Sequence, residues 1–196
     1  VREMMAEEDV GAEAFEWGTM KNHDHAASNP MAQYRKPISM EQVRASRMIA
    51  DPIRLLMCSA ISDGAAAIVV SSKPGRGRVR VRASALASSP WRLDADVLPG
   101  PTLAADKAYA QAGVAPSELD LAEVHDAVSP AELMHYRELR LCGAGEVAKL
   151  VAERATALGG RLPVNTHGGL LAHSYLLGAE HVVEAVRQLR WAAACR

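Results

Sequence analysis

Residues 162–179 read LPVNTHGGLLAHSYLLGA. The short apolar run 162–164 has the length and composition of a strand end. Residues 165–174, with Gly168-Gly169, have those of a loop, and Val182, Val183, Val186 and Leu189 then form a helical stripe to about Trp191. The same order occurs upstream. There the run 119–124 feeds His125-Asp126-Ala127, and 130–141 follows with Leu133, Met134, Leu139 and Leu141 at helical spacing. Two strand–loop–helix units are the signature of an α/β layered fold, whose sites sit in loops beyond the strand ends.

Composition agrees with that class. Of 196 residues, 49% are hydrophobic but only 4% aromatic, so small aliphatics must fill the core between closely spaced layers. The formal net charge of −1 carries no footprint for nucleic acid or an anionic membrane surface. The one basic tract, 73–82, alternates Arg80 and Arg82 with Val79 and Val81 and reads as a loop entering an exposed strand, 79–86; a site for coenzyme A phosphates is the alternative reading. Cys58, Cys142 and Cys195 make neither a disulfide framework nor a zinc pattern, which fits a reducing compartment. No leader and no run of about 18 apolar residues is present. A cytoplasmic location is expected.

Elsewhere the signals are shorter. Residues 1–17 are acidic, lack a clean capped helix and look like a cut edge. Residues 21–37, with His23, His25, Pro30 and Pro37, read as a long irregular surface loop whose histidines are solvated. Ser39 and Gln42 form a capping box before a brief helix that Asp51-Pro52 ends. The apolar run 65–70 has the length of a buried strand. Residues 102–112 are a helix stopped by Gly113. An internal boundary falls at 72/73.

The two loops hold the candidate chemistry. Helix-start N–H groups can hold a thioester oxyanion, and paired glycines let a ligand approach closely. A histidine there is either a structural residue or a catalytic one, and the bare sequence leaves both readings open.

Four stretches resemble thiolases of the sterol carrier protein X type, in family order: Lys21-Asn22-His23 with Asn29-Pro30 and Ala32-Gln33-Tyr34; SRMIAD from Ser46 through Ser62-Asp63-Gly64-Ala65-Ala66-Ala67; EVHDAVSPAEL from Glu123; and LPVNTHGGLLAHSYLLGA from Leu162. The resemblance implies a five-layer αβαβα fold of two similar halves, here incomplete. Residues 1–72 would end the first half and 73–196 would supply most of the second. It places the nucleophilic Cys upstream of Val1 and a second Cys beyond Arg196. Cys58 and Cys142 are then buried apolar residues.

The resemblance also assigns roles. His125 would position water or an oxyanion beside the thioester, and Asp126 would orient its loop. Asn165, Gly168 and Gly169 would support the second loop. Tyr175 stands where the family carries the His that activates the nucleophile; with an ordinary pKa of about 10 it suits exchange of a proton with a substrate oxygen better than thiolate formation.

The first expectation is therefore a thiolase-type acyltransferase acting on acyl-CoA, with coenzyme A as a substrate moiety, no tightly bound cofactor and no metal. The second is retro-aldol cleavage of a β-hydroxyacyl-CoA. A steroid-degrading branch with an OB-fold partner protein resembles the Gly168-Gly169 and Tyr175 loop, although that branch carries Tyr where His125 lies. The third is a non-catalytic lipid-carrier or assembly subunit. A homodimer is expected when full length.

Overall fold

The computed structural model describes residues 1–73, 75, 78–89, 98–173 and 178–194. It is helix-rich α/β, and one helix occupies its centre. After α1 (Arg2–Glu8), α2 (Ala12–Ala27) runs through the interior with Phe15, Thr19, Lys21, Asn22, His23 and His25 all buried. Against it pack α3 (Met40–Ala45), α5 (Ser129–Glu138), α6 (Val147–Ala152) and α7 (Gly169–Ala172). At Gly18 a Cβ would lie 3.0 Å from Ser129 Oγ, so the missing side chain sets the close approach of α2 to α5.

Residues 1–17 hold α1 and the first part of α2, and neither helix has a side-chain N-cap, in keeping with the absence of a clean capping signal. One expectation is overturned. Residues 21–27 are not surface loop but the buried end of α2, and His23 and His25 are shielded from solvent. The cause is a polar inward face. Lys21, Asn22 and His25 recur at helical spacing, and their hydrogen bonds offset burial where apolar side chains ordinarily would.

The capping signals at Ser39 and Gly113 act as read, but the helix after Ser39 ends at Ala45, short of Asp51-Pro52, because Ser46 turns extended and residues 48–50 pair as a strand. Ser39 Oγ accepts from Gln42 N at 3.3 Å, while Gln42 Oε1 accepts from Ser39 N at 2.8 Å, starting α3. Gly113, at φ 62°, ends α4 (Gly100–Ala112) in the left-handed conformation, its N–H donating to Tyr109 O at 2.9 Å. β1 (Met48–Ala50) and β2 (Ile53–Arg54) form an antiparallel hairpin. α8 (Ala179–Ala194) follows the second candidate loop.

The strand-like runs leading to the two loops lie side by side. Ala122 and Val164 form a parallel bridge, with Ala122 N donating to Pro163 O at 3.0 Å and Asn165 N to Ala122 O at 2.9 Å. Both loops therefore emerge at the same end. Around them Phe15, Val43, Met57, Leu133, Val147, Leu150, Leu162 and Val164 build the apolar core.

Residues 65–70 and 79–86 are corrections of another kind. Neither forms a strand, and Val69 and Val70 are 95% and 81% exposed. A strand needs a ladder partner on at least one edge, and among the described residues none lies beside either run. Residues 74, 76 and 77 of the basic tract, and Cys195, lie outside the described residues. Among the described residues no helix is long and apolar enough to cross a membrane.

At the centre Lys21 Nζ lies 2.6 Å from Glu132 Oε1, both side chains at most 2% exposed. Replacing Lys21 by Met leaves that carboxylate buried without its cation. Urea unfolding should report a loss of about 3–5 kcal/mol.

Candidate functional site

Glu132, in the first turn of α5, accepts hydrogen bonds from four side chains. Lys21 donates from α2, and Asn22 Nδ2 and Asn165 Nδ2 donate to Oε2 at 2.7 and 2.8 Å. Tyr136 OH donates to Oε1 and contacts Thr156 Oγ1 at 3.0 Å. Burial alone would raise the Glu132 pKa; the Lys21 charge and these hydrogen bonds outweigh it and hold the carboxyl below its ordinary value.

The network reaches both loops. Asn165, at φ 56°, accepts through Oδ1 from Val124 N at 2.8 Å, and its own carbonyl accepts from His25 Nδ1 at 3.0 Å. His25 Nε2 accepts from Leu158 N at 3.0 Å, which fixes one neutral tautomer. Burial and the nearby Lys21 charge push the His25 pKa down to about 4, so the ring stays neutral in use.

Asp126, fully buried, joins the His125 loop to the Gly168-Gly169 loop. Its Oδ1 accepts from Leu170 N at 2.6 Å, capping α7, and its Oδ2 accepts from Asn22 Nδ2 at 2.7 Å. Asn22 thus sits between two carboxylates that share a single nearby ammonium, Lys21. Burial first, and the Glu132 charge second, push the Asp126 pKa up to about 7. Gly169 makes the closure possible: a Cβ there would stand 2.1 Å from Asp126 Oδ2, and its φ is 63°.

A second polar layer lies on the outer side of the loops. Glu123 Oε1 accepts from Thr166 N and Oγ1 at 3.0 and 2.5 Å, and Oε2 is 2.8 Å from His167 Nδ1. Burial would lower the His167 pKa, but the close contact and charge of Glu123 outweigh it and raise it. His173 and His181 stand edge-on to His167, with ring centroids 4.9 and 5.3 Å away. Burial and the His167 charge push the His173 pKa down to about 4. A cleft of about 240 Å³ opens over this layer, between residues 65–67, His167, His173 and the Glu180, Val183, Glu184 and Arg187 face of α8.

Four of the six expected site residues, Asp126, Asn165, Gly168 and Gly169, are therefore brought together. His125 is adjacent but exposed, its pKa lowered by burial and by the neighbouring His135 charge. Tyr175 lies outside the described residues. Cys58 and Cys142 are half-buried rather than fully buried, and burial raises both thiols, Cys142 to about 11. Neither is suited to act as a thiolate. The sequence reading missed Lys21, Asn22, Glu123, Glu132, His167 and His181. The signal for the first two was the three-to-four-residue recurrence of Gly18, Lys21, Asn22 and His25 along one helix face.

Comparison with known proteins places the family and the fold. Residues 95–196 match the family model described as thiolase C-terminal domain-like. The chain is 40% identical to the 17-hydroxy-3-oxo-4-pregnene-20-carboxyl-CoA lyase of Mycobacterium tuberculosis, across 92% of this chain and 51% of that protein. It is 34% identical to the benzoylsuccinyl-CoA thiolase subunit BbsB of Thauera aromatica, across 95% and 51% respectively. Its fold superposes on the Ltp2-ChsH2(DUF35) aldolase with a TM-score of 0.84 at 30% identity, covering 96% of this chain and 53% of that one. The chain spans about half the length of these curated relatives.

Two outcomes check this geometry. Asp126 keeps its proton to about pH 7 in the folded chain but loses it near pH 4 when unfolded. The stability linked to that proton is full below about pH 4 and is lost as pH rises through about 7. Between pH 5 and pH 8 the native chain should lose at least about 1 kcal/mol more stability than Asp126→Asn; parallel losses refute the assignment. Gly169→Ala should cost about 1–3 kcal/mol in urea unfolding and disorder the loop at 165–173 in hydrogen exchange.

Proposed function

The chain belongs to the thiolase family through the domain at residues 95–196, and on that premise we propose that it forms part of an enzyme cleaving a β-hydroxyacyl-CoA by retro-aldol chemistry. The observation that carries the reading is the Asp126–Leu170 bond, which holds the His125 loop and the glycine loop as one unit beneath an open cleft. Tyr175, in place of the family's activating His, favours proton exchange at a substrate oxygen over thiolate chemistry. The resemblance to a lyase and to an aldolase supports the same side.

In that reaction Tyr175 acts as its phenolate: it takes the β-hydroxyl proton as the Cα–Cβ bond breaks and holds it as the neutral phenol. The bonding pair moves into the thioester as an enolate, a ketone or aldehyde departs, and a proton then returns to Cα. His125, its pKa lowered by partial burial and by the His135 charge, donates a hydrogen bond to the thioester oxygen where negative charge develops. Coenzyme A enters only as the substrate's carrier.

A second reading, acyl transfer to or from coenzyme A, is supported by the thiolase subunit among the relatives. That relative is a subunit, and the structural neighbour carries two names joined as one aldolase. Both favour an assembly partner, which we assign to the OB-fold class, beside a homodimer of the thiolase fold in the cytoplasm.

The test is an assay of the protein carrying this chain, with its partner, on a short β-hydroxyacyl-CoA. Carbonyl product should form without added coenzyme A. Tyr175→Phe should lower kcat about 100-fold and His125→Ala about 10- to 1000-fold, with melting temperatures unchanged. Coenzyme A-dependent thiolysis that survives Tyr175→Phe replaces the proposal with acyl transfer. Acyl-CoA binding without turnover replaces it with a carrier role.

A further inference from the structure

We infer that Glu123, His167 and His181 form a binding site for one divalent transition-metal ion of the zinc class. The three side chains come from separate segments: Glu123 from the run before the first loop, His167 from the second loop, and His181 from the first turn of α8. One donor atom from each lies within 4.8 Å of the other two. Their side chains are 4%, 2% and 9% exposed.

Two imidazole nitrogens and one carboxylate oxygen are the donor set that zinc and its neighbours favour, with the remaining position open to water or substrate. Zinc bonds each donor at about 2.0–2.2 Å, so the three side chains would close in on the ion from their present separation. Thr166 already holds the carboxylate in place by its N–H and hydroxyl, the second-shell arrangement that orients a ligating carboxylate. His167 also lines the cleft, which gives an ion a route in and an exchangeable position facing solvent.

A second observation points to a ligand. Nε2 of His167 and Nε2 of His181 are both buried and, among the described residues, have no hydrogen-bond partner. The two rings meet edge-to-face at 89°, so neither satisfies the other's nitrogen. The Glu123–His167 contact at 2.8 Å is an ion pair without hydrogen-bond geometry, so among the described residues Glu123 Oε2 and both ring nitrogens of His167 lack a hydrogen bond, as does Nε2 of His181. A cation accepted by both rings resolves the deficit.

The site stands whether or not the chain is an aldolase, because binding is read without turnover. Chelator-treated protein would be titrated with Co²⁺, following ligand-field absorption, and with Zn²⁺ by calorimetry, with the melting temperature recorded in parallel. One ion should bind per chain and raise the melting temperature of the native protein. His181→Ala and Glu123→Gln should each weaken binding at least about tenfold, while His135→Ala, which removes no donor of the triad, leaves it unchanged. Glu123→Gln keeps an oxygen for Thr166 and so reports even if His181→Ala fails to fold. Absence of stoichiometric binding to the folded native chain overturns the site, as does binding that neither triad substitution weakens.

Discussion

A single buried carboxylate organises this molecule. Glu132 collects an ammonium, two carboxamides and a phenol, drawn from α2, the loop at 165 and α5 itself. Each donor sits on an element that would otherwise lack a reason to adopt its place: α2 would expose a polar face, and Asn165 would have no cause to hold a left-handed backbone. An ion pair in such a setting contributes little net stability, since desolvation offsets most of the attraction. Its contribution is geometric, because only one arrangement of these segments satisfies every donor.

Electrostatic asymmetry then separates two layers. Inside, two carboxylates face one ammonium, so Glu132 takes the charge and Asp126 holds on to its proton. Outside, Glu123 raises the pKa of His167 against the effect of its burial, while burial first and the His167 charge second lower those of His173 and His181. The inner layer holds the loops, and the outer layer meets the cleft.

Local rules succeeded where local forces decide. The capping box at Ser39, the glycine stop at Gly113 and the presence of a helix at α8 all depend on neighbours within a turn or two, and all are legible in the sequence; the buried face of α8 was not, since Val182 and Leu189 of the apolar stripe are exposed while Glu180, His181 and Glu184 are buried. So was the loop pair, because a strand–loop–helix order is itself local. Burial of Lys21, Asn22 and His25 was not legible. Their partners Glu132, Asp126 and Asn165 lie more than a hundred residues away, and polarity at a position reads as exposure until the partner is known. Residues 65–70 and 79–86 failed for the complementary reason: an apolar, β-branched run specifies a strand only together with a neighbour to bond. At the site, Asp126, Asn165 and the glycines were found through a family resemblance, while Glu123, His167 and His181 emerged from proximity alone.

The bond from Asp126 to Leu170 N has one more consequence. It makes the two loops a single rigid frame, closed at a position where Gly169 leaves no room for a side chain. The bonds to Asp126 come from Leu170 N and from Asn22, so the closure rests on backbone and on α2 rather than on the side chains that line the cleft. A scaffold built this way separates what holds from what reacts, so a lineage can trade one carbon–carbon chemistry for another by altering a few flanking side chains while its architecture stays intact.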